Sequence, residues 1–252
     1  MKKLLLLVAL LSPVALMSQG ESPKKNKMGV LMMRPGMHDH SDFERNLAHH
    51  NKEYHTGEGA VDIFEVVAGD RYGEYHFVFR NLFSWKQIDA AYRAVEEKSH
   101  AFDWDMNVTG HLTQEGPFHI FEQSDDSYMP ANLAEFAGDL WGVYFIEIKM
   151  GMEEDFFSSL KKIREMYQKN NSKNYYSVLR RVFGNGTQVA VAFPLVKGWE
   201  SFEPDPSDDW TKMFKNAFPK EDYKAFMTKL NNSQKSFESF VAKYRKDLSS
   251  PM

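Results

Sequence analysis

Lys149-Met150-Gly151-Met152-Glu153-Glu154 follows an extended apolar run, Val143 to Ile148, and Arg34-Pro35-Gly36-Met37-His38-Asp39 follows Val30 to Met33 in the same way. Beyond each turn, apolar side chains recur in steps of four, three and four: Phe43, Leu47, His50 and Tyr54 in the first copy, with Phe156, Leu160, Ile163 and Tyr167 in the second. Such spacing puts them on one face of an α-helix, the only exception to apolar chemistry being His50 opposite Ile163. A strand, Gly-Met turn and helix used twice governs every later reading, because a repeat is one supersecondary unit duplicated.

Working outward, each helix leads into a strand, a turn and a second strand. The first copy runs Val61 to Val67, turns at Gly69-Asp70 and returns over Glu74 to Arg80; the second runs Tyr175 to Val182, turns at Gly184-Asn185-Gly186 and returns over Gln188 to Phe193. Asn-Gly between β-branched and aromatic runs is a hairpin signal. Ser84-Trp85 and Gly198-Trp199 then enter a helical region at matching places, and Phe118 to Glu122 and Phe240 to Arg245 supply a last strand. Ser41 with Glu44 is a capping-box pattern that starts the first helix near Asp42. Pro204, Pro206 and Pro219 predict a loop and two or three helical pieces before the last strand of copy two. The chain therefore reads βαββαβ twice, over 28–122 and 141–252, with a connector over 123–140 that carries a short helix around Asn132 to Phe136.

This order resembles the dimeric α/β-barrel superfamily, and the resemblance spans nearly all of the two copies. It implies an α+β fold of two ferredoxin-like units, their antiparallel sheets packed face to face as an intramolecular α/β barrel, for which a monomer is sufficient. The superfamily includes cofactor-free antibiotic-biosynthesis monooxygenases, haem-degrading monooxygenases, muconolactone isomerase-like enzymes and tandem-repeat chlorite dismutases, so fold alone chooses no reaction. In chlorite dismutases the proximal histidine belongs to the second unit. All nine histidines here, 38, 40, 49, 50, 55, 76, 100, 111 and 119, lie in the first. The resemblance thus argues against that activity, and haem would need another axial ligand such as His50 or a tyrosine.

Composition sets the remaining bounds. The 252 residues are 42% hydrophobic and 26% charged, with a net charge of -4, which is ordinary globular material with no drive toward nucleic acid. With no cysteine there is no disulfide, thiolate metal site or cysteine nucleophile. Lys2 and Lys3 before Leu4 to Leu11, then Ser12-Pro13 and small Ser18, have the order of a secretory signal over 1–18. A polar leader over 19–27 follows, and the expected compartment is secreted or periplasmic, without stable membrane insertion after cleavage. Phosphate-binding loops, dinucleotide fingerprints, G-x-S-x-G and H-E-x-x-H are absent.

Strand alternation points to candidate site residues. Tyr75, Phe77 and Phe79 suit the helix layer, which turns His76, Val78 and Arg80 to the barrel interior; Val143, Phe145, Glu147 and Lys149 take the corresponding face of the first strand of copy two. One reading gathers Arg34, His76, Arg80, Glu147 and Lys149 in a polar pocket for a small organic molecule, the bases holding negative charge and His76 or His50 accepting a proton. The other pairs these charges across the sheets or leaves them at a wet barrel mouth around a filled, non-catalytic core. No cofactor is required by the sequence; haem or a divalent metal are the alternatives, the metal on His38, His40 and His50.

Overall fold

In this computed structural model the described residues are 26–251 apart from 83, 96, 130–137, 185, 187 and 206–208. The expected signal segment, nearly all of the polar leader and the connector's short helix lie outside them. The first unit runs β1 (Lys27–Pro35), α1 (His40–Tyr54), β2 (Val61–Gly69), β3 (Tyr75–Leu82), α2 (Trp85–Val95), α3 (Lys98–Asp103), a π-helical turn (Trp104–Val108), β4 (Leu112–Glu115) and β5 (His119–Gln123). The second runs β6 (Leu140–Ile148), α4 (Glu153–Lys169), β7 (Ser177–Phe183), β8 (Val189–Pro194), a 3-10 turn (Gly198–Phe202), α5 (Trp210–Ala217), α6 (Tyr223–Ser233) and β9 (Gln234–Tyr244).

Within each unit the strands lie in the same order, β2-β3-β1-β5 and β7-β8-β6-β9, all antiparallel. The units meet at both edges, with Glu65 of β2 opposite Lys243 of β9 and Phe121 of β5 opposite Arg181 of β7. Closing both edges turns two open sheets into one eight-stranded barrel and leaves neither unit with an unpaired edge from the main sheet. The extra strand β4 pairs only with the far end of β1, where Arg34 faces Gln114. Gly69 lies in the β2–β9 seam with φ +93°, and a Cβ there would stand 2.2 Å from the Ser239 carbonyl oxygen, so both backbone and space demand glycine.

Three apolar clusters show how the sequence pattern becomes layers. Val30, Met32, Val66, Val78, Phe121, Phe145, Ala190, Phe240 and Ala242, with Phe64, Val143 and Leu179 against them, draw on every barrel strand and no helix, and fill the interior. Phe43 and Leu47 of α1 pack on Tyr75, Phe77 and Phe79 outside the barrel, as the alternation of β3 requires. Phe156, Leu160 and Ile163 of α4 pack on Ile146, Ile148 and Val178 with Phe214 and Phe226. Each such fully buried side chain contributes about 1.5–3 kcal/mol.

Two local expectations are corrected. α1 begins at His40 with no side-chain cap, because the Glu44 carboxylate accepts from Tyr75 Oη at 2.5 Å and from Arg245 instead of reaching back to the backbone. β9 starts directly after α6, six residues before Phe240, since Phe237 and Ser236 continue the ladder opposite Ile146 and Glu147. The chain after β9 crosses into the first unit: Ser249 Oγ accepts from Ile63 N, Ser250 Oγ from Val61 N, and the Leu248 carbonyl from Asn51 Nδ2.

Candidate functional site

The barrel interior expected to carry polar groups is instead a packed apolar core, and the polar residues sit at its end. His76 is 6% exposed, its ring parallel to Phe145 at 5.9 Å and edge-on to Phe240 at 5.3 Å. Its Nε2 has no hydrogen-bond partner, the nearest carboxylate oxygen, Glu74 Oε2, lying 3.6 Å away. Burial lowers its pKa, so the ring is neutral near pH 7. Arg34 donates to Glu74 Oε1 at 3.0 Å, Arg71 to Glu74 Oε2 at 3.1 Å and to Glu238 Oε2 at 2.7 Å. Burial pushes the Glu74 carboxyl up, but His76, Arg71 and Arg34 outweigh that and hold it at about 2. A cavity of about 230 Å³ touches Arg34, Arg71, Glu74 and His119 at this mouth.

Of the predicted pocket, Arg34 and His76 therefore meet through Glu74. Glu147 pairs with Lys235 at 3.0 Å and Lys149 is exposed beyond the end of β6, so neither completes a shared polar pocket with them. The Arg80 side chain lies outside the described residues. Arg71, Glu74 and Glu238 carry the observed network; the first two lie between β2 and β3, where charged residues read as ordinary turn chemistry.

A larger cavity, about 520 Å³, lies between the sheet and the helices of the second unit. Tyr144, Phe193 and Phe237 come from the strands, Tyr167 and Leu160 from α4, and Trp210 and Met227 from α5 and α6. Lys197 and Glu200 belong to its polar rim, and the adjoining turn exposes Trp199 and Phe202. Tyr176, which also lines it, buries a hydroxyl that has no hydrogen-bond partner. The signal in the sequence was the long insert between the third and last strands of copy two, which builds one wall of this cavity.

The metal set His38, His40 and His50 is not formed: His38 is exposed and the His40 ring lies against Tyr75. His50 joins His55 and His100, three buried imidazoles with one nitrogen each within 4.8 Å of the others. His50 Nδ1 donates to Asp103 Oδ2 at 2.7 Å and its Nε2 is buried without a partner. His55 Nδ1 donates to the Gly59 carbonyl at 3.1 Å, and its Nε2 lies 3.1 Å from His100 Nε2. Burial lowers His50 to about 4 despite Asp103, and burial with the neighbouring His50 lowers His55 to about 3. His55, His100 and Asp103 were missed as partners of His50; the recoverable signal was His100 and Asp103 three apart, which share a helix face.

No family model matches the chain. Over 82 residues it is 35% identical to an uncharacterised Pseudomonas aeruginosa protein, a match that covers 31% of this chain and 48% of that one, so the chain spans about half the length of this relative. Among solved structures it is similar to a Fusobacterium nucleatum protein provisionally named a monooxygenase, with TM-score 0.53 and 10% identity over 89% of this chain and 94% of that one. An anthrone oxidase-like protein gives TM-score 0.52 and 11% identity over 88% and 92%. Chlorite dismutase of Candidatus Nitrospira defluvii, in complex with imidazole, gives 0.50 and 10% over 88% and 92%. The chain has the dimeric α/β-barrel fold of two ferredoxin-like units.

Haem needs an axial ligand, for which the large cavity offers tyrosines and Met227. Its described lining contains no histidine, and the chain has no cysteine. Burial raises the Tyr176 phenol well above its ordinary pKa, against a tyrosinate ligand, and Met227 alone is a poor substitute.

Proposed function

We propose that this chain, a dimeric α/β-barrel protein by fold, is exported and binds a small, mainly apolar aromatic molecule in the second unit's cavity. The observation that carries this reading is the cavity itself: its volume of about 520 Å³ and its aromatic walls within a polar rim match small-molecule sites in general. Trp199, Phe202 and Phe237, each about half exposed, add aromatic surface around its mouth. The rim mixes Lys173 and Lys197 with Glu200, Glu203 and Asp205, which favours a ligand of low net charge.

Oxygenase-type chemistry is the second reading, favoured by the two oxidase- and monooxygenase-named proteins of the same fold. His76 and His50 stand outside the cavity lining, so proton abstraction in this cavity would fall to another group. Export rests on the amino-terminal sequence and is tested by the mass of the protein recovered from its native compartment.

Titration calorimetry with 2-naphthol as probe tests binding. Saturable binding with one site, lost in Val191→Phe, which fills the cavity, supports the reading. Heat that does not saturate, or that Val191→Phe leaves unchanged, overturns it. Oxygen uptake on adding the bound compound separates an oxygenase from a binding protein.

A further inference from the structure

We propose that His50, His55 and His100 form a three-imidazole site for a first-row divalent metal, with zinc the best match. The site lies in the helix layer of the first unit, away from the second unit's cavity, and stands or falls independently of what that cavity binds. His50 comes from α1, His55 ends it and His100 comes from α3.

Four observations converge on a ligand. First, the rings are already turned. The Asp103 carboxylate and the Gly59 carbonyl each accept from an Nδ1–H, which leaves the Nε2 lone pairs of His50 and His55 directed elsewhere. Metal-bound histidines are oriented in this way, by a carboxylate or carbonyl on the far nitrogen. Second, His50 Nε2 is a buried acceptor with nothing to accept from, on a residue that is 0% exposed. An acceptor left so is costly, and a metal ion satisfies it.

Third, the spacing suits bonds of about 2.0–2.1 Å from each nitrogen to zinc, which place the nitrogens of a tetrahedron about 3.3 Å apart. His55 and His100 already come close to that separation at 3.1 Å, and the whole set lies within 4.8 Å, so His50 closes on them by a side-chain adjustment of at most about 1.5 Å. With both rings neutral, His100 holds its one proton on Nε2, facing His55 Nε2; metal binding moves that proton to His100 Nδ1, so all three rings bind as neutral imidazoles. Fourth, the repeat supplies an internal control. Ile163 occupies the place of His50 on α4 and is 6% exposed, so packing of helix on sheet needs only an apolar side chain there. Three buried histidines in one copy, where an isoleucine serves the other, are not explained by packing.

The surroundings agree. Trp104 and Phe77 flank the cluster, with Trp104 5.0 Å from the His50 ring and Phe77 5.0 Å from the His55 ring, an apolar shell that limits solvent access as at other metal sites. Imidazole nitrogen without thiolate suits zinc, copper, nickel or iron, and a three-histidine set leaves one zinc position for water or a small exogenous ligand. Lys98, Ser99 and Phe102 on the outer face of α3 are exposed, so ions reach the cluster past a single short helix.

The test uses the full chain, freed of metal with a chelator, and cobalt(II) as a visible probe. One equivalent should bind with d–d bands of tetrahedral intensity, be displaced by zinc, and raise the melting temperature. His55→Ala and His100→Ala should abolish the bands, and His50→Ile, built on the residue copy two uses, should lose them while keeping its far-ultraviolet circular dichroism. Asp103→Asn should weaken zinc binding 10–100-fold. His38→Ala with His40→Ala, both outside the cluster, should leave the cobalt bands unchanged. Absence of the cobalt bands in the wild type, or bands that survive in folded His50→Ile, overturns the proposal.

Discussion

Arg245, just past the end of β9 in the second unit, grips the Glu44 carboxylate of the first with both guanidinium ends, Nη1 to Oε1 at 2.5 Å and Nη2 to Oε2 at 3.0 Å. Nη1 also reaches Glu65 at 2.8 Å and Nη2 reaches Asp247 at 2.7 Å, so one cation ties α1, β2 and the carboxy-terminal turn together. Glu44 is held below the usual carboxylate range first by this Arg245 contact. With Arg245 14% and Glu44 28% exposed, the pair is largely screened from water, and breaking one side strands the other.

Arg245→Met should therefore cost about 2–4 kcal/mol, less than a fully buried pair because Glu44 and Asp247 recover some solvent. Chemical denaturation measures it. Glu44→Gln should cost less, since the amide still accepts from Tyr75. Equal and negligible losses in both would show the contact to be surface decoration.

The mouth network gives a pH dependence. Glu74 titrates at about 2 when folded against 4.5 ordinarily, so the folded protein binds its proton less tightly than the unfolded chain. The stabilisation is complete above pH 4.5 and is lost as pH falls toward 2. Melting temperatures followed from pH 6 to pH 2 should fall more steeply for the wild type than for Glu74→Gln; parallel curves would remove Glu74 from the acid limb.

His76 was read from alternation as interior-facing, and it is; what alternation leaves open is whether an interior holds water or side chains. Phe145, Phe240 and Val78 fill the space around it. His76→Leu should then leave stability within about 1 kcal/mol of wild type, because Nε2 forfeits no hydrogen bond and Glu74 keeps its bonds from Arg34 and Arg71. A larger loss by calorimetry would mean that the ring's other nitrogen matters.

The fold was legible because the duplication repeats local rules: Phe43 and Phe156, Leu47 and Leu160 do the same work on equivalent helices. Sites were less legible because they join residues distant in the chain. His50 could be singled out as a polar residue on a core stripe, yet its partners Asp103 and His100 stand some fifty residues on, brought back by α3. The second unit's cavity depends on how α5 and α6 settle over β6 and β8, and nothing in their apolar periodicity distinguishes a gap from a packed layer. Likewise Ser41 and Glu44 fit a cap pattern, and the pattern lost to Arg245, two hundred residues away, which binds the same carboxylate.

Replacing His50 by its counterpart in the repeat separates packing from ligation within one variant. In metal-free protein, His50→Ile removes a buried nitrogen that has no partner and supplies apolar volume at a position where α4 already tolerates isoleucine. Against this it takes one hydrogen bond from Asp103, which keeps its bond from Asn107 at 2.6 Å and stays in reach of solvent. The two effects are each about 1–2 kcal/mol and opposed, so the variant should melt within a few degrees of metal-free wild type. Adding zinc should then raise the wild type alone, by an increment that grows with the logarithm of free zinc above its dissociation constant. A metal-free melting temperature far below wild type would make the His50–Asp103 bond a structural strut, whereas an equal response to zinc in both proteins would place the metal elsewhere.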